Sequence, residues 1–225
     1  MPINLSHAYG NGRVYSHKSN ILLRLIARIM YRATDILKSN LVWDVYEKNS
    51  VLGKNCFLGT NAWCSNMGAK GSVIIGNNVY CKGLLRTGTR GGGKITIGDE
   101  VYIGDDTIIS SEACIEIGSQ TMVSHGVHIF DTVGHPTDPD LRMLDWKIII
   151  GKEIKERPPA SSSKIIIGKN VWIGFNATIM RGVTIGDNSI VAAGSVVVSN
   201  VEANTIVAGN PAHLVKNIVS LAGDN

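Results

Sequence analysis

A six-residue beat constrains this chain more than any other feature. An aliphatic residue followed by a small one recurs at Ile97-Gly98, Ile103-Gly104 and Ile109-Ser110, then, after a two-residue slip, at Ile117-Gly118 and Val123-Ser124. The beat returns at Ile167-Gly168, Ile173-Gly174, Ile179-Met180, Ile185-Gly186, Val191-Ala192 and Val197-Val198. Weaker members precede these at Leu52-Gly53, Leu58-Gly59 and Ile75-Gly76. A second set, Val101, Thr107, Val171, Ala177, Val183 and Ser189, sits four places after the first and is small or β-branched. Period six matches neither a helix at 3.6 nor a strand at two. It matches short strands joined by tight corners, three hexads closing one triangular coil. The predicted class is therefore all-β, a parallel solenoid whose aliphatic column fills a narrow interior. Asp99, Asn170 and Asp187 follow the small residues, where corners favour positive φ.

Three segments break the beat. Residues 1–45 lack it, and Asn20 to Ser39 reads as an amphipathic helix with Arg24, Arg28 and Arg32 on one face. Contact with a membrane surface through residues 20–39 is one reading of such a helix. Capping the open end of the solenoid is the preferred one. The second break is Cys81 to Lys94, CKGLLRTGTRGGGK. Gly88, Gly93 and Lys94 approach a phosphate-binding loop, but Ile95 stands where a hydroxyl is needed and a β-hexad follows instead of a helix. A glycine-rich bulge is predicted, not a nucleotide triphosphatase. The third break runs from Asp131 to Lys164, a length that in a rigid solenoid signals function or disorder. It carries His135, Pro136, Trp146 and the charged stretch Lys152 to Arg157. The expected organisation is thus an N-terminal segment 1–45, a β-helix domain 46–212 with the excursion 131–164 as one long loop, and a C-terminal helix or tail 213–225.

Charge and cysteines exclude some classes. Only 18% of residues are charged and 44% are hydrophobic, and the net charge is +4. Lys and Arg are dispersed among acids, so no nucleic-acid partner is expected. Cys56, Cys64, Cys81 and Cys114 form no C-x-x-C pair. Reduced, mostly buried thiols in a cytoplasmic protein are expected. The N-terminus lacks the pattern of a secretory signal, and no apolar run nears the ~20 residues that span a bilayer.

Several motifs together resemble the hexapeptide-repeat acetyltransferases, in the branch of galactoside, maltose, xenobiotic and polysaccharide O-acetyltransferases. They are Gly134-His135-Pro136-Thr137-Asp138-Pro139, Gly168-Lys169-Asn170-Val171-Trp172-Ile173-Gly174, Arg181 to Ser189, Ala193-Gly194-Ser195-Val196-Val197 and Ala208-Gly209-Asn210-Pro211-Ala212. The resemblance covers roughly residues 50–218. It implies a left-handed β-helix, a homotrimer, acetyl-CoA in a cleft between subunits, and direct attack of the acceptor on the thioester without an acyl-enzyme. No metal is expected. It implies that Trp172, Gly174, Ala193, Gly194, Ser199, Gly209, Asn210, Pro211, His213 and Lys216 lie along the cofactor. Val198-Ser199-Asn200 departs from the family's Thr-Lys-Asp, and His213 from its usual Arg. These departures imply differently arranged phosphate contacts.

The resemblance implies that His135 is the active-site histidine, and its chemistry suits that role. A sugar hydroxyl needs a base within hydrogen-bond reach as it attacks a thioester. Imidazole, ordinarily near ~6.5, can take that proton and return it to the thiolate. Pro136 restricts the backbone of His135 to extended conformations. Glu112 and Asp131 are the candidates for orienting the base or holding the acceptor, and Trp146 for a sugar platform. The N–H of Gly174 or Phe175 is a candidate oxyanion donor. His125, His128 and His135 would form a zinc site only if they converged, and the first two, three apart on one coil, should diverge. The expected activity is O-acetyl transfer to a saccharide of a surface polysaccharide. The alternatives are N-acetylation of a nucleotide-linked amino sugar, a xenobiotic acceptor, or a zinc-bearing or non-catalytic β-helix.

Overall fold

A computed structural model describes residues 21–88, 90 and 92–219. Asn20, where the predicted N-terminal helix begins, and the tail 220–225 lie outside the described residues, as do Thr89 and Gly91 of the glycine-rich bulge. Among the described residues two helices occur, α1 (Ile21–Asn49) and α2 (Pro139–Ile149). The remainder is a left-handed parallel β-helix of about seven coils. Contacts divide the chain into two units between Leu37 and Lys38, earlier than the 45/46 boundary read from the repeat.

Three sheets form the faces. The first contains Val51–Leu52, Val73–Ile75, Ile95–Ile97, Ile115–Ile117, Ile165–Ile167 and Thr184–Ile185. The second runs from Phe57–Leu58 to Ile190–Val191 and then Thr205–Gly209, and the third from Trp63–Asn66 to Val196–Val197. Register follows the beat. Ile97 pairs with Ile117, Ile117 with Ile167 and Ile167 with Ile185, so one aliphatic column threads the coils. Ile103, Ile109, Ile115, Ile129, Ile173 and Ile179 are all fully buried in it. Each buried isoleucine side chain is worth roughly 1.5–3 kcal/mol by area, and the stack repeats that gain coil after coil.

The small residue after each aliphatic one is needed for close approach. A Cβ on Gly98 would stand 2.6 Å from the Ser119 nitrogen of the next coil. Positive φ falls one position later than expected at two corners: Asn170 adopts it, but Glu100 and Asn188 do so in place of Asp99 and Asp187. The aspartates instead accept backbone N–H groups of the preceding coil, Asp99 from Asn77 at 2.6 Å and Asp187 from Lys169 at 2.7 Å. The left-handed asparagines stack, Asn170 donating to Asn188 at 2.9 Å and Asn188 to Asn204 at 3.0 Å.

The last turns of α1 close the N-terminal end of the solenoid. Val42 and Tyr46 are buried in the core cluster, and the Tyr46 hydroxyl sits 3.4 Å from the Cys81 sulfur and from the Gly83 carbonyl. The capping residues thus lie beyond Ser39, the predicted helix end. No helix among the described residues is long and apolar enough to cross a membrane. The four cysteines are free; burial pushes the Cys64 thiol up to about 12 and raises Cys81 as well.

Two expectations are corrected. Ala212–Asn217 is not helical: it forms a strand antiparallel to Thr205–Gly209, because Asn210-Pro211 makes a tight turn that folds the chain back onto the second face. The excursion is not all loop, since it contains α2. Asp138 and Pro139 begin that helix. Asp138 Oδ1 accepts from the N–H groups of Asp140 at 3.0 Å and Leu141 at 2.9 Å, and Pro139 occupies a first-turn position whose missing donor costs nothing.

Candidate active site

The excursion leaves and rejoins the solenoid side by side. Thr132 bridges Ser162, and the Ser163 N–H donates to the Asp131 carbonyl at 2.8 Å. His135 stands just above this root, its N–H donating to the Val133 carbonyl at 2.9 Å, with Pro136 buried behind it. Its side chain is half exposed and lines a pocket of about 250 Å³.

One buried carboxylate organises the site, and it belongs to Asp145 of α2. Asp145 Oδ2 lies 2.7 Å from His135 Nδ1, and its side chain has no exposed surface. Arg157 donates Nε to Oδ1 at 2.7 Å and Nη2 to Oδ2 at 3.0 Å, a two-pronged guanidinium–carboxylate pair. Arg90 Nη2 donates to Oδ2 at 3.0 Å. The Arg157 hydrogen bonds outweigh desolvation, and those of His135 and the charge of Arg90 add to them. The Asp145 carboxyl is held down at about 2. An ionised Asp145 accepts a hydrogen bond from Nδ1–H, the tautomer in which Nε2 carries the free lone pair.

Arg90 ties the two interruptions of the repeat together. Besides Asp145 it donates Nη2 to the Gly134 carbonyl at 2.8 Å and Nε to the Pro158 carbonyl at 3.1 Å. The glycine-rich bulge therefore reaches the excursion instead of hanging free. Arg90 and Arg157 were absent from the sequence-based site. So was Asp145, though the Asp138-Pro139 helix start pointed to an ordered α2 that could carry one.

The residues expected from the sequence fall in several places. Asp131 cannot touch an acceptor: it is fully buried, and its carboxylate accepts from Ser111 Oγ at 2.7 Å and from the N–H groups of Glu112 at 2.7 Å and Ala113 at 2.9 Å. It fixes a corner, and the orienting role belongs to Asp145. Glu112 lines the His135 pocket and accepts from the Arg90 N–H at 3.1 Å. Trp146 is exposed on α2 and does not line that pocket. The Gly174 N–H is committed to the Val191 carbonyl at 2.8 Å, which removes it as an oxyanion donor; that of Phe175 has no hydrogen-bond partner among the described residues. His125 stacks on Phe175 at 5.8 Å and accepts from the Asp105 N–H at 3.2 Å, whereas His128 stands on the third face beside Phe130. Among the described residues no three His, Cys, Asp or Glu side chains group as metal ligands.

The expected cofactor residues do not share one edge: Ser199 follows the third-face strand Val196–Val197, on the side from which His135 leaves His128–Phe130. Ser199 and His213 share a second pocket of about 250 Å³, and Trp172 lines another on the second face. Gly209 and Asn210-Pro211 form the turn before the last strand, which carries Lys216. Gly174 approaches Ala193 so closely that a Cβ would lie 2.6 Å from the Ala193 nitrogen. Gly174 and Gly194 precede the third-face strands Thr178–Ile179 and Val196–Val197, whereas His135 follows the third-face strand His128–Phe130. Since these strands run parallel, the two groups stand at opposite edges of that face.

Known proteins share this sequence pattern. Residues 164–199 match the bacterial transferase hexapeptide (six repeats), and residues 50–80 the hexapeptide repeat of succinyl-transferase. WbbJ of Escherichia coli, named for O-acetyl transfer in lipopolysaccharide biosynthesis, is 31% identical over 65% of this chain and 72% of its own. The galactoside O-acetyltransferase of Escherichia coli is 32% identical over 56% of each chain, so the match spans little more than half of that relative. Among solved structures, the N-acyltransferase AntD from Bacillus cereus, in complex with dTDP and 3-hydroxybutyryl-CoA, superposes with a TM-score of 0.59 and 24% identity. It covers 76% of this chain and 83% of that one, a likeness of fold.

Proposed function

Since the chain belongs to the hexapeptide-repeat acetyltransferase family, we propose that it transfers the acetyl group of acetyl-CoA to a sugar hydroxyl, with His135 as general base. The observation that carries this reading is the pairing of His135 Nδ1 with the buried, ionised Asp145 at 2.7 Å, which turns Nε2 toward a pocket. The acceptor hydroxyl gives its proton to Nε2 as its oxygen attacks the thioester carbon. The tetrahedral oxyanion collapses, the C–S bond breaks, and the imidazolium returns the proton to the sulfur. An acetyl ester and free CoA leave. Asp145 holds the ring and balances the transient imidazolium. The Phe175 N–H is the oxyanion donor in this reading.

The cofactor runs along Trp172, Gly174, Ala193 and Gly194 toward Ser199, Gly209, Asn210, Pro211, His213 and Lys216. Because Gly174 and Gly194 lie across one face from His135, a complete site takes the glycine edge of one copy and His135 of the next. A trimer meets this need. AntD crystallised with an acyl-CoA, which supports the choice of donor. WbbJ and the galactoside enzyme, both named for O-acetyl transfer, support a saccharide hydroxyl as acceptor.

The test is release of free thiol from acetyl-CoA across a panel of sugars, amino sugars and antibiotics. His135→Ala is expected to lower kcat at least ~100-fold while acetyl-CoA still binds. An undiminished rate removes His135 from the mechanism, and a preference for amines replaces O-transfer with N-transfer.

A further inference from the structure

We infer that the acceptor carries a carboxylate and that Arg86 binds it in the pocket beside His135. The inference rests on the reading of this pocket as the acceptor site and deepens it. Arg86, Glu112, Phe130, His135 and Arg157 line the same pocket, and Arg86 lies on the third-face strand Leu84–Thr87. It faces outward, in register with Ser110, which pairs in turn with Phe130.

The three arginines there are not equivalent. Arg90 and Arg157 are both committed to Asp145. Arg86 has a single hydrogen bond, from Nε to Ser110 Oγ at 3.2 Å, and no carboxylate partner among the described residues. That bond uses Nε, and the terminal Nη groups have no hydrogen bond among the described residues, while the side chain lines the pocket. Three guanidinium groups, Arg86, Arg90 and Arg157, face two carboxylates, Asp145 and Glu112, which leaves one positive charge in excess. One negative charge balances it, which fits a carboxylate better than a dianionic phosphate monoester. The planar guanidinium edge also matches the two oxygens of a carboxylate. Phe130 beside it offers an apolar surface to the sugar ring.

The sequence held this feature without explaining it. The sequence put Arg86 inside the glycine-rich break, yet it stands at an outward position of a regular face strand, where neither the repeat nor the proton-transfer scheme calls for an arginine.

The experiment titrates wild-type protein, Arg86→Gln and Arg86→Lys with methyl β-glucuronoside, methyl β-glucoside and glucose 6-phosphate, following the His135 ring signals by NMR. This readout needs no turnover. The glucuronoside is expected to bind wild type about 10-fold or more tightly than the glucoside, the span of one charge-assisted pair. Arg86→Gln should erase that ratio and Arg86→Lys restore part of it. Equal binding of the two glycosides, no binding of the glucuronoside, or a ratio that survives Arg86→Gln overturns the inference. Tighter binding of the phosphate than of the glucuronoside overturns the carboxylate assignment. Thiol release from acetyl-CoA, measured on the same glycosides, separates the two readings. Acid-selective binding without any acetyl transfer refutes the proposed activity and leaves Arg86 standing, and acetyl transfer with no acid preference does the reverse.

Discussion

Replacing Asp145 with Asn tests the site most directly, because it removes one charge and keeps the shape. Oδ2 faces His135 Nδ1, Arg157 Nη2 and Arg90 Nη2, all donors, so the amide oxygen takes that place and the NH₂ opposes Arg157 Nε at the Oδ1 place. The ring keeps its Nδ1–H, but no full negative charge remains to balance the imidazolium. A comparable exchange in serine-protease triads lowers kcat about 10⁴-fold, and a fall of roughly 10² to 10⁴ is expected here, with KM for acetyl-CoA within about 3-fold. Stability changes too. Lowering the Asp145 carboxyl from 3.8 to about 2 corresponds, at about 1.36 kcal/mol per unit, to a ceiling near 2.5 kcal/mol. The Arg90 and Arg157 side chains retain 12% and 23% exposure, so solvent screening brings the expected loss to roughly 1–2 kcal/mol. The sign follows from the depressed value. Asp145 stabilises the fold fully above the unfolded value of 3.8, and the contribution is lost as pH falls through about 2. The gap between wild type and variant in urea melts should therefore be constant from pH 7 to about 5, narrow from about 4 and close only near 2. Nitrogen NMR of the His135 ring checks that Nδ1–H survives the exchange, as expected with the amide oxygen at the Oδ2 place. A variant with the stability loss but an intact kcat would make Asp145 a brace for the arginines and nothing more, and a base balanced by Asp145 would be refuted.

Two further substitutions probe the scaffold. Tyr46→Ala should destabilise the protein by about 3–5 kcal/mol in urea melts, since a fully buried aromatic plug leaves the end of the core open; a loss below about 1 kcal/mol would mean that α1 does not close the solenoid. Gly98→Ala should cost about 1–3 kcal/mol, because its Cβ would press on the Ser119 backbone 2.6 Å away and the neighbouring coil has no slack; thermal melting at or above wild type would show that the coils can spread.

The periodic part of the fold was legible because every beat carries the same instruction. Ile97, Ile117, Ile167 and Ile185 each repeat the inward position, and their pairing follows from the spacing alone. Local conflicts shifted details by one residue. Asp99 reads as a corner residue on propensity, yet its carboxylate is better used on the Asn77 N–H, and Glu100 takes the left-handed conformation instead. The final strand was misread because nothing in Ala212 to Asn217 distinguishes a short helix from a hairpin strand until its partner, Thr205–Gly209, is in place.

The candidate site was less legible for a reason tied to the same regularity. Inward positions of a three-sided prism are too narrow and apolar for a charge, and outward positions are spaced evenly along each face, so strict hexads cannot converge several polar side chains on one atom. Convergence needs chain that is free of the beat. Asp145 draws His135 from 10 residues away, Arg157 from 12 and Arg90 from 55, and all three come from the two interruptions. His135 could be singled out because its motif is local. Asp145 could not, since its role exists only once α2 has been capped by Asp138 and turned so that one polar side chain points back to the root of the excursion. The same reasoning gives the Arg86 proposal its weight: an arginine on the bulge side of the site, left with one hydrogen bond while its two neighbours share a carboxylate, is a charge that the fold itself does not use.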